Sequence, residues 1–138
     1  MPPMRRLLVV FALGLALAGC GGSEAVSPAP ETVVGTIPEG ETIEPGNAEA
    51  GKEVFLNVAE PKCGNCHTYG PAGTTQTLGP NLDESLQGKD AQFIAEQIVN
   101  PDSDITEGFP DNLMPEDYGQ KLSEKQLADL VAFLLPQS

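Results

Sequence analysis

Apolar residues recur at helical spacing near both ends of the C-terminal two thirds of the chain. Asn47 is a typical helix-capping residue and Pro61 a helix breaker, so a first helix is predicted between them. Ser123 and Gln126 form the sequence pattern of a capping box, and Pro136 stops the last predicted helix. The predicted buried positions are Gly51, Val54, Phe55 and Val58 in the first helix, and Leu127, Leu130, Val131 and Leu134 in the last.

Another helix is predicted over residues 90–99, because it carries apolar residues on neighbouring faces and Pro101 follows it. Residues 62–88 have little periodic pattern apart from one possible helical turn at 83–87. No segment alternates apolar and polar residues for long, so the domain is predicted to be all-α. A structureless loop of this length is unusual in a compact domain unless it wraps around a large rigid group.

The N-terminus has the pattern of an export signal. Arg5 and Arg6 precede an apolar run at residues 7–18, which is too short to span a membrane comfortably. The sequence Leu17-Ala18-Gly19-Cys20 resembles a bacterial lipobox, in which Cys20 receives a lipid and becomes the new N-terminus. The alternative is an ordinary signal peptide cut nearby, with Cys20 left as a free thiol. We predict a lipoprotein signal peptide at residues 1–19.

A tether and one domain are predicted to follow the signal. Residues 21–46 contain four Pro, five Gly and five Glu, and no Lys or Arg. Such a segment buries too little apolar surface to offset its conformational entropy. Residues 20–46 are therefore predicted to be a disordered tether, and residues 47–138 to form the domain.

Composition narrows the function. The 138 residues include 7 Lys and Arg against 20 Asp and Glu, a formal charge of −13, which argues against nucleic-acid binding. The same acidity is compatible with attracting a basic protein partner or with keeping an exported protein soluble. There are 5 Phe, 2 Tyr and no Trp, while Gly and Pro number 15 and 13. A small chain with so few large side chains is expected to fill its core partly with something else.

The unpatterned loop opens with Cys63-Gly64-Asn65-Cys66-His67, a C-x-x-C-H motif typical of covalent haem attachment. Two thiols at this spacing match two vinyl groups on one porphyrin edge, and the adjoining imidazole is placed to bind the iron. A structural zinc site would need four ligands, whereas this chain has one His. A thioredoxin-like redox pair would need a βαβ setting, and a plain disulfide would leave His67 unexplained.

The count of possible ligand side chains also gives a candidate for the second axial iron ligand. His67 is the only His in the chain, and Met114 is the only Met beyond the predicted signal. Met114 lies in the polar sequence Asn112-Leu113-Met114-Pro115, away from any apolar stripe. The alternative is a Met that fills a gap in the core.

With these motifs in order, residues 47–138 resemble the class I c-type cytochromes. The matching features are Gly51 and Phe55, Cys63 to His67, Gly79-Pro80-Asn81-Leu82, Leu113-Met114-Pro115, and Leu130 with Phe133. The resemblance implies a cytochrome c fold of three to five helices around one covalent haem c, with His67 and Met114 as axial ligands. It also implies that the first and last helices cross at Gly51 and Phe55, and that the Pro80 carbonyl orients His67. The region around residues 98–118 is also similar to the cytochrome c domain of the second subunit of some haem–copper oxidases.

Two axial side chains would leave iron no open position for peroxide or dioxygen, which favours electron transfer over catalysis. The sequence therefore predicts a non-enzymatic, membrane-tethered monohaem electron carrier of an extracytoplasmic respiratory chain. It would be monomeric and lipid-anchored on the outer face of a bacterial membrane or in the periplasm. Its expected partners are redox proteins such as a terminal oxidase or a quinol-oxidising complex. The alternatives are a fixed haem subunit of a larger complex, a haem peroxidase or a haem-based sensor.

Overall fold

The computed structural model describes residues 43–136, which form a mostly helical domain. Its five α-helices are α1 (Ala48–Glu53), α2 (Leu82–Ser85), α3 (Ala91–Val99), α4 (Tyr118–Lys121) and α5 (Glu124–Leu134). Two short strands, β1 (Thr68–Tyr69) and β2 (Thr74–Thr75), pair in antiparallel fashion. The predicted all-α class is confirmed. The predicted signal peptide, Cys20 and most of the predicted tether lie outside the described residues.

The caps predicted at Asn47 and Ser123 are present, and Asp90 is a further cap that was not predicted. The Asn47 side chain accepts a hydrogen bond from the N–H of Ala50, and the Asp90 side chain accepts one from the N–H of Phe93. Ser123 and Gln126 form a complete capping box at the start of α5. These side chains satisfy backbone donors that a helix start leaves without partners. Among the described residues, no helix is both long enough and apolar enough to span a bilayer.

One predicted core position is wrong. α1 continues as a π-helical turn over Val54–Val58, in which the N–H of Ala59 donates to the carbonyl of Val54. A π-turn contains one residue more than an α-turn, so the position that faces the core shifts by one residue toward the C-terminus. Val58 is consequently 47% exposed, and Ala59 takes the buried position at 1%.

The first and last helices cross in close contact, as the resemblance implied. A Cβ at Gly51 would lie 1.9 Å from the Asp129 carbonyl oxygen, so only glycine permits this approach. Beside the crossing, the Phe55 and Phe133 rings meet edge to face at a centroid distance of 5.8 Å. Aromatic pairs in this geometry add to the free energy gained from burial. The crossing fixes the two ends of the domain to each other.

A buried carboxylate strengthens the crossing and was not predicted. Asp129 is 4% exposed, and its carboxylate accepts hydrogen bonds from the Asn47 N–H at 2.8 Å and from Lys125 Nζ at 2.7 Å. Burial alone would raise the pKa of Asp129, but these hydrogen bonds and the Lys125 charge bring it below its ordinary value. The ionised form is therefore the one that holds α1 against α5.

Replacing Asp129 with Ala is expected to lower the free energy of unfolding of the holoprotein by about 1.5–3 kcal/mol at pH 7. A depressed folded-state pKa contributes stability above the unfolded-state pKa and loses it as the pH falls through the folded value. The difference between wild type and variant should therefore shrink as the pH falls below about 4. Guanidinium unfolding at several pH values measures it. Asp111→Ala, at an exposed position, is the control, and an equal loss there would contradict the assignment.

Candidate functional site

A cavity lined by residues from the helices and from the loops between them contains the candidate site. It has a volume of about 430 Å³. All five residues that the sequence predicted for haem binding line it, namely Cys63, Cys66, His67, Pro80 and Met114. The lining also includes large apolar side chains such as Phe55, Ile94 and Leu130. The five predicted residues, which are separated by up to 51 positions in the chain, thus line the same cavity.

The C-x-x-C-H segment reaches the cavity through a tight turn. Cys63–Asn65 form a 3₁₀-helix, and the carbonyl of Cys63 accepts from the N–H groups of Cys66 and His67 at 3.1 Å each. Both cysteines are half-buried, and no disulfide joins them. Burial raises the pKa of the Cys63 thiol to about 12, with a smaller contribution from the neighbouring Cys66. This turn presents two thiols and one imidazole to the same cavity.

The His67 imidazole is held in a fixed orientation. Its Nδ1 lies 2.9 Å from the carbonyl oxygen of Pro80, so the Nδ1–H tautomer donates this hydrogen bond and leaves Nε2 free to bind a metal. Burial lowers the pKa of His67, and the Pro80 hydrogen bond opposes the shift in part. The neutral form, which is the metal-binding form, is therefore favoured.

The Gly79 backbone packs directly against the His67 imidazole. A Cβ at this position would lie 2.6 Å from Cε1 of His67 and 2.9 Å from its Nδ1. The Gly79 N–H also donates to the carbonyl of Cys66 at 2.8 Å, which ties this segment to the C-x-x-C-H turn. The absence of a side chain at Gly79 thus allows the Pro80 carbonyl to reach the ring.

Gly79→Ala is expected to tilt the His67 ring and to lower the free energy of unfolding by about 1–3 kcal/mol, since a methyl group must enter a filled space. Guanidinium unfolding gives the stability, and the NMR shifts of the His67 ring report its orientation. Gly70→Ala is the matched control, because a Cβ there would lie 3.3 Å from an exposed Asp83 oxygen. Similar losses in both variants would show that Gly79 has no special relation to His67.

Met114 enters the cavity from the loop at residues 100–117. Both carboxylate oxygens of Asp102 accept from the N–H of Asn112 at 3.1 Å. Asn112 has a φ of 55°, a left-handed conformation that Asn tolerates better than most residues. This hydrogen-bonded turn lies two residues before Met114, which is half-buried against the core.

The short helix α4, which the sequence did not predict, connects the Met114 loop to the C-x-x-C-H segment. The Tyr118 hydroxyl donates to the carbonyl of Pro61 at 2.5 Å, and Lys121 Nζ donates to that of Glu60 at 2.9 Å. Lys121 also pairs with Asp117 at 2.8 Å. Tyr118 is buried and lines the cavity. These hydrogen bonds hold the segment that carries Met114 next to the segment that carries Cys63.

A comparison with known families identifies the fold. The family model for cytochrome c matches residues 48–138. The chain belongs to the cytochrome c family. Among solved structures, it is similar to the c-type cytochrome SorU from Sinorhizobium meliloti, with 26% sequence identity and a TM-score of 0.46. That similarity covers 63% of this chain and 85% of the SorU chain. No curated protein sequence matches the chain.

The cavity of this cytochrome fits a covalently bound haem c, the cofactor that the family carries. Its volume lies within the range of about 300–1,000 Å³ typical of cofactor pockets, and most of its lining is apolar. Cys63 and Cys66 are the thiols that would hold the haem, and His67 and Met114 are the side chains that would bind its iron. When bound, the haem supplies one-electron oxidation and reduction.

The sequence did not reveal how Asp102 and Tyr118 help to position these groups. Asp102 and Tyr118 act through backbone partners 10 and 57 positions away in the chain, so no short motif shows these contacts. Gly79 and Pro80 belong to a motif that the resemblance did match, but the contact of Gly79 with the His67 ring required the structure. The second tyrosine, Tyr69, donates to the carbonyl of Phe133 at 3.0 Å and lies away from the cavity lining.

Proposed function

We propose that this cytochrome is a lipid-anchored, monohaem one-electron carrier of an extracytoplasmic respiratory chain. The proposal rests on the observation that His67 and Met114 line the same cavity. Each is a neutral donor of a type that binds haem iron, and together they would occupy both axial positions of a bound haem. An iron with both positions filled favours electron transfer over reactions that need an open coordination site.

The chain's own residues support this role by holding the site rigid. The Pro80 carbonyl fixes the His67 ring, and the Asp102 turn fixes the segment before Met114. The Tyr118 and Lys121 hydrogen bonds join the two ligand-bearing segments. Fixed ligands keep their positions when the charge of the site changes by one, so each electron transfer needs little rearrangement. The apolar lining limits the entry of water.

Two measurements on the full-length holoprotein test the electron-carrier role. Redox titration should give a single reversible one-electron wave, and addition of hydrogen peroxide should give no sustained turnover with a peroxidase dye. A wave that requires two haems, or steady peroxide turnover, would contradict the proposal. Partner proteins that co-purify in fixed stoichiometry after detergent extraction would instead favour a permanent subunit of a larger complex.

The proposed membrane anchor is supported by the predicted export signal and by the sequence Leu17-Ala18-Gly19-Cys20. The mature N-terminus is expected to be a lipid-modified Cys20, since two or more acyl chains give stable anchoring. Mass spectrometry of the N-terminal peptide measures the modification. Cys20→Ala should release the cytochrome from membranes while leaving the haem spectrum unchanged. An unmodified Cys20 in membrane-bound protein would contradict the lipid anchor.

A further inference from the structure

Two segments on the His67 side of the site are joined in matching register. We call residues 66–70 the histidine segment and residues 79–83 the proline segment. Within the described part of the chain, hydrogen bonds join them at three pairs, each 13 positions apart: Cys66 with Gly79, His67 with Pro80, and Gly70 with Asp83. The pairing advances in the same direction along both segments, so a contact at one pair constrains the position of the next.

Pro80 depends on its neighbours for its position. Proline has no N–H, so its backbone can accept hydrogen bonds but cannot donate one. On one side of Pro80, the Gly79 N–H donates to the Cys66 carbonyl at 2.8 Å. On the other side, the two carboxylate oxygens of Asp83 accept from the Gly70 N–H at 3.1 and 2.8 Å. The Pro80 carbonyl is thus held between two contacts with the histidine segment.

Asp83 is itself held in place, although it is exposed. The Asn81 side chain caps α2 and accepts from the Asp83 N–H at 3.0 Å. Gln87 Nε2 donates to the Asp83 carbonyl at 3.0 Å. Both backbone polar groups and both carboxylate oxygens of Asp83 therefore have partners. A surface acid that served only solubility would need none of them.

The histidine segment is anchored in the core. Tyr69 is buried, and its hydroxyl donates to the carbonyl of Phe133 in α5 at 3.0 Å. Burial raises the pKa of Tyr69, and the charge of Asp83 adds to the shift, so the hydroxyl stays protonated and can donate. Asp83 therefore attaches the proline segment to a segment that α5 already fixes.

We infer that Asp83 is a positioning residue for His67, acting through the Pro80 carbonyl. The inference rests on the proposed electron-carrier function, because it assigns Asp83 a part in setting the reduction potential of that site. A hydrogen bond from Nδ1–H to a carbonyl raises the basicity of a ligating imidazole, and a more basic ligand stabilises ferric iron. Asp83 thus keeps the potential lower than a loosely held Pro80 carbonyl would.

Two neutral variants of the full-length holoprotein separate the hydrogen bond from the charge. Asp83→Ala removes both the charge and the acceptor, whereas Asp83→Asn removes the charge but keeps an acceptor oxygen for the Gly70 N–H. The His67 Nδ1–H should exchange with solvent about 2- to 10-fold faster in Asp83→Ala than in Asp83→Asn, the factor expected for the loss of one hydrogen bond. NMR of the reduced protein measures this exchange.

Redox titration gives the second readout. The potential of Asp83→Ala should lie above that of Asp83→Asn, because a weaker hydrogen bond between His67 and Pro80 favours ferrous iron. The Met-to-ferric-iron charge-transfer band should remain in both variants, which shows that Met114 ligation is not the cause. Equal potentials, or equal exchange rates, in the Ala and Asn variants would overturn the inference.

Glu84→Ala is the matched control for charge. Glu84 is the next residue of α2 and is exposed, and its carboxylate accepts from Asn81 Nδ2 at 3.1 Å. The variant should match Asp83→Asn in potential and the wild type in exchange rate. A shift as large as that of Asp83→Ala would show that charge alone acts, and would overturn the inference. A reversible wave in every variant keeps this test separate from the proposed function, whose failure would abolish the wave in the wild type.

Discussion

Replacing Cys63 and Cys66 together by alanine is expected to abolish haem attachment and, with it, stable folding of the domain. Loss of the haem leaves a cavity of about 430 Å³ in the core. At about 24 cal/mol per Å³, an empty cavity of that size would cost up to roughly 10 kcal/mol. Natural domains are stable by about 5–15 kcal/mol in total. The cofactor is thus expected to contribute a large part of the core, which has few aromatic residues of its own.

Far-ultraviolet circular dichroism and guanidinium unfolding of the purified full-length variant measure this effect. The variant should show reduced helix content and no cooperative transition, and acid–acetone should extract no haem from the wild type. Cys20→Ala is the matched cysteine control and should retain both haem and cooperative unfolding. An apoprotein of the double variant that unfolds cooperatively would show that the side chains suffice to fill the core.

Met114→Ala is expected to keep the covalent haem but to lower the reduction potential. The thioether sulfur of Met favours ferrous iron, and axial ligands are a main determinant of a range of roughly 0.8 V among haem proteins. Removing it also opens a coordination position at the iron. Redox titration measures the potential, and the Met-to-ferric-iron charge-transfer band reports the ligand directly. The band should disappear in the variant.

Leu113→Ala is the control for Met114→Ala, because Leu113 is the preceding residue and lines the same cavity. It should retain the charge-transfer band and a potential close to that of the wild type. A Met114→Ala protein with an unchanged band and potential would show that Met114 does not bind the iron. Met114 would then be a residue that packs against the core.

Local chemistry explains which features the sequence could predict. The spacing of Cys63, Cys66 and His67 is a short motif, and its meaning does not depend on distant residues. Helix starts at Asn47 and Ser123 were predictable because capping is a side-chain-to-backbone hydrogen bond within three residues. Met114 was chosen as a candidate ligand by counting, since the predicted mature chain offers a single Met, and the structure places it in the cavity lining.

The missed features depend on contacts between distant parts of the chain. Asp129 lies beside the apolar stripe of α5, and it is buried only because Gly51 lets α1 approach so closely. The π-turn that exposes Val58 and buries Ala59 in its place has no sequence pattern of its own. α4 has only four residues, and its importance comes from hydrogen bonds to carbonyls about 60 positions earlier. Periodicity alone contains none of this information.

The crossing of α1 with α5 also determines when this protein can fold. The two helices pack closely although Asn47 and Asp129 are separated by 82 positions. As the chain emerges during synthesis, α1 cannot pack on α5 until the end of the domain follows. Folding is therefore delayed until nearly the whole domain has emerged, and during that interval the two attachment thiols remain on an open chain. The order of synthesis is therefore expected to leave Cys63 and Cys66 accessible for haem attachment before α1 and α5 meet.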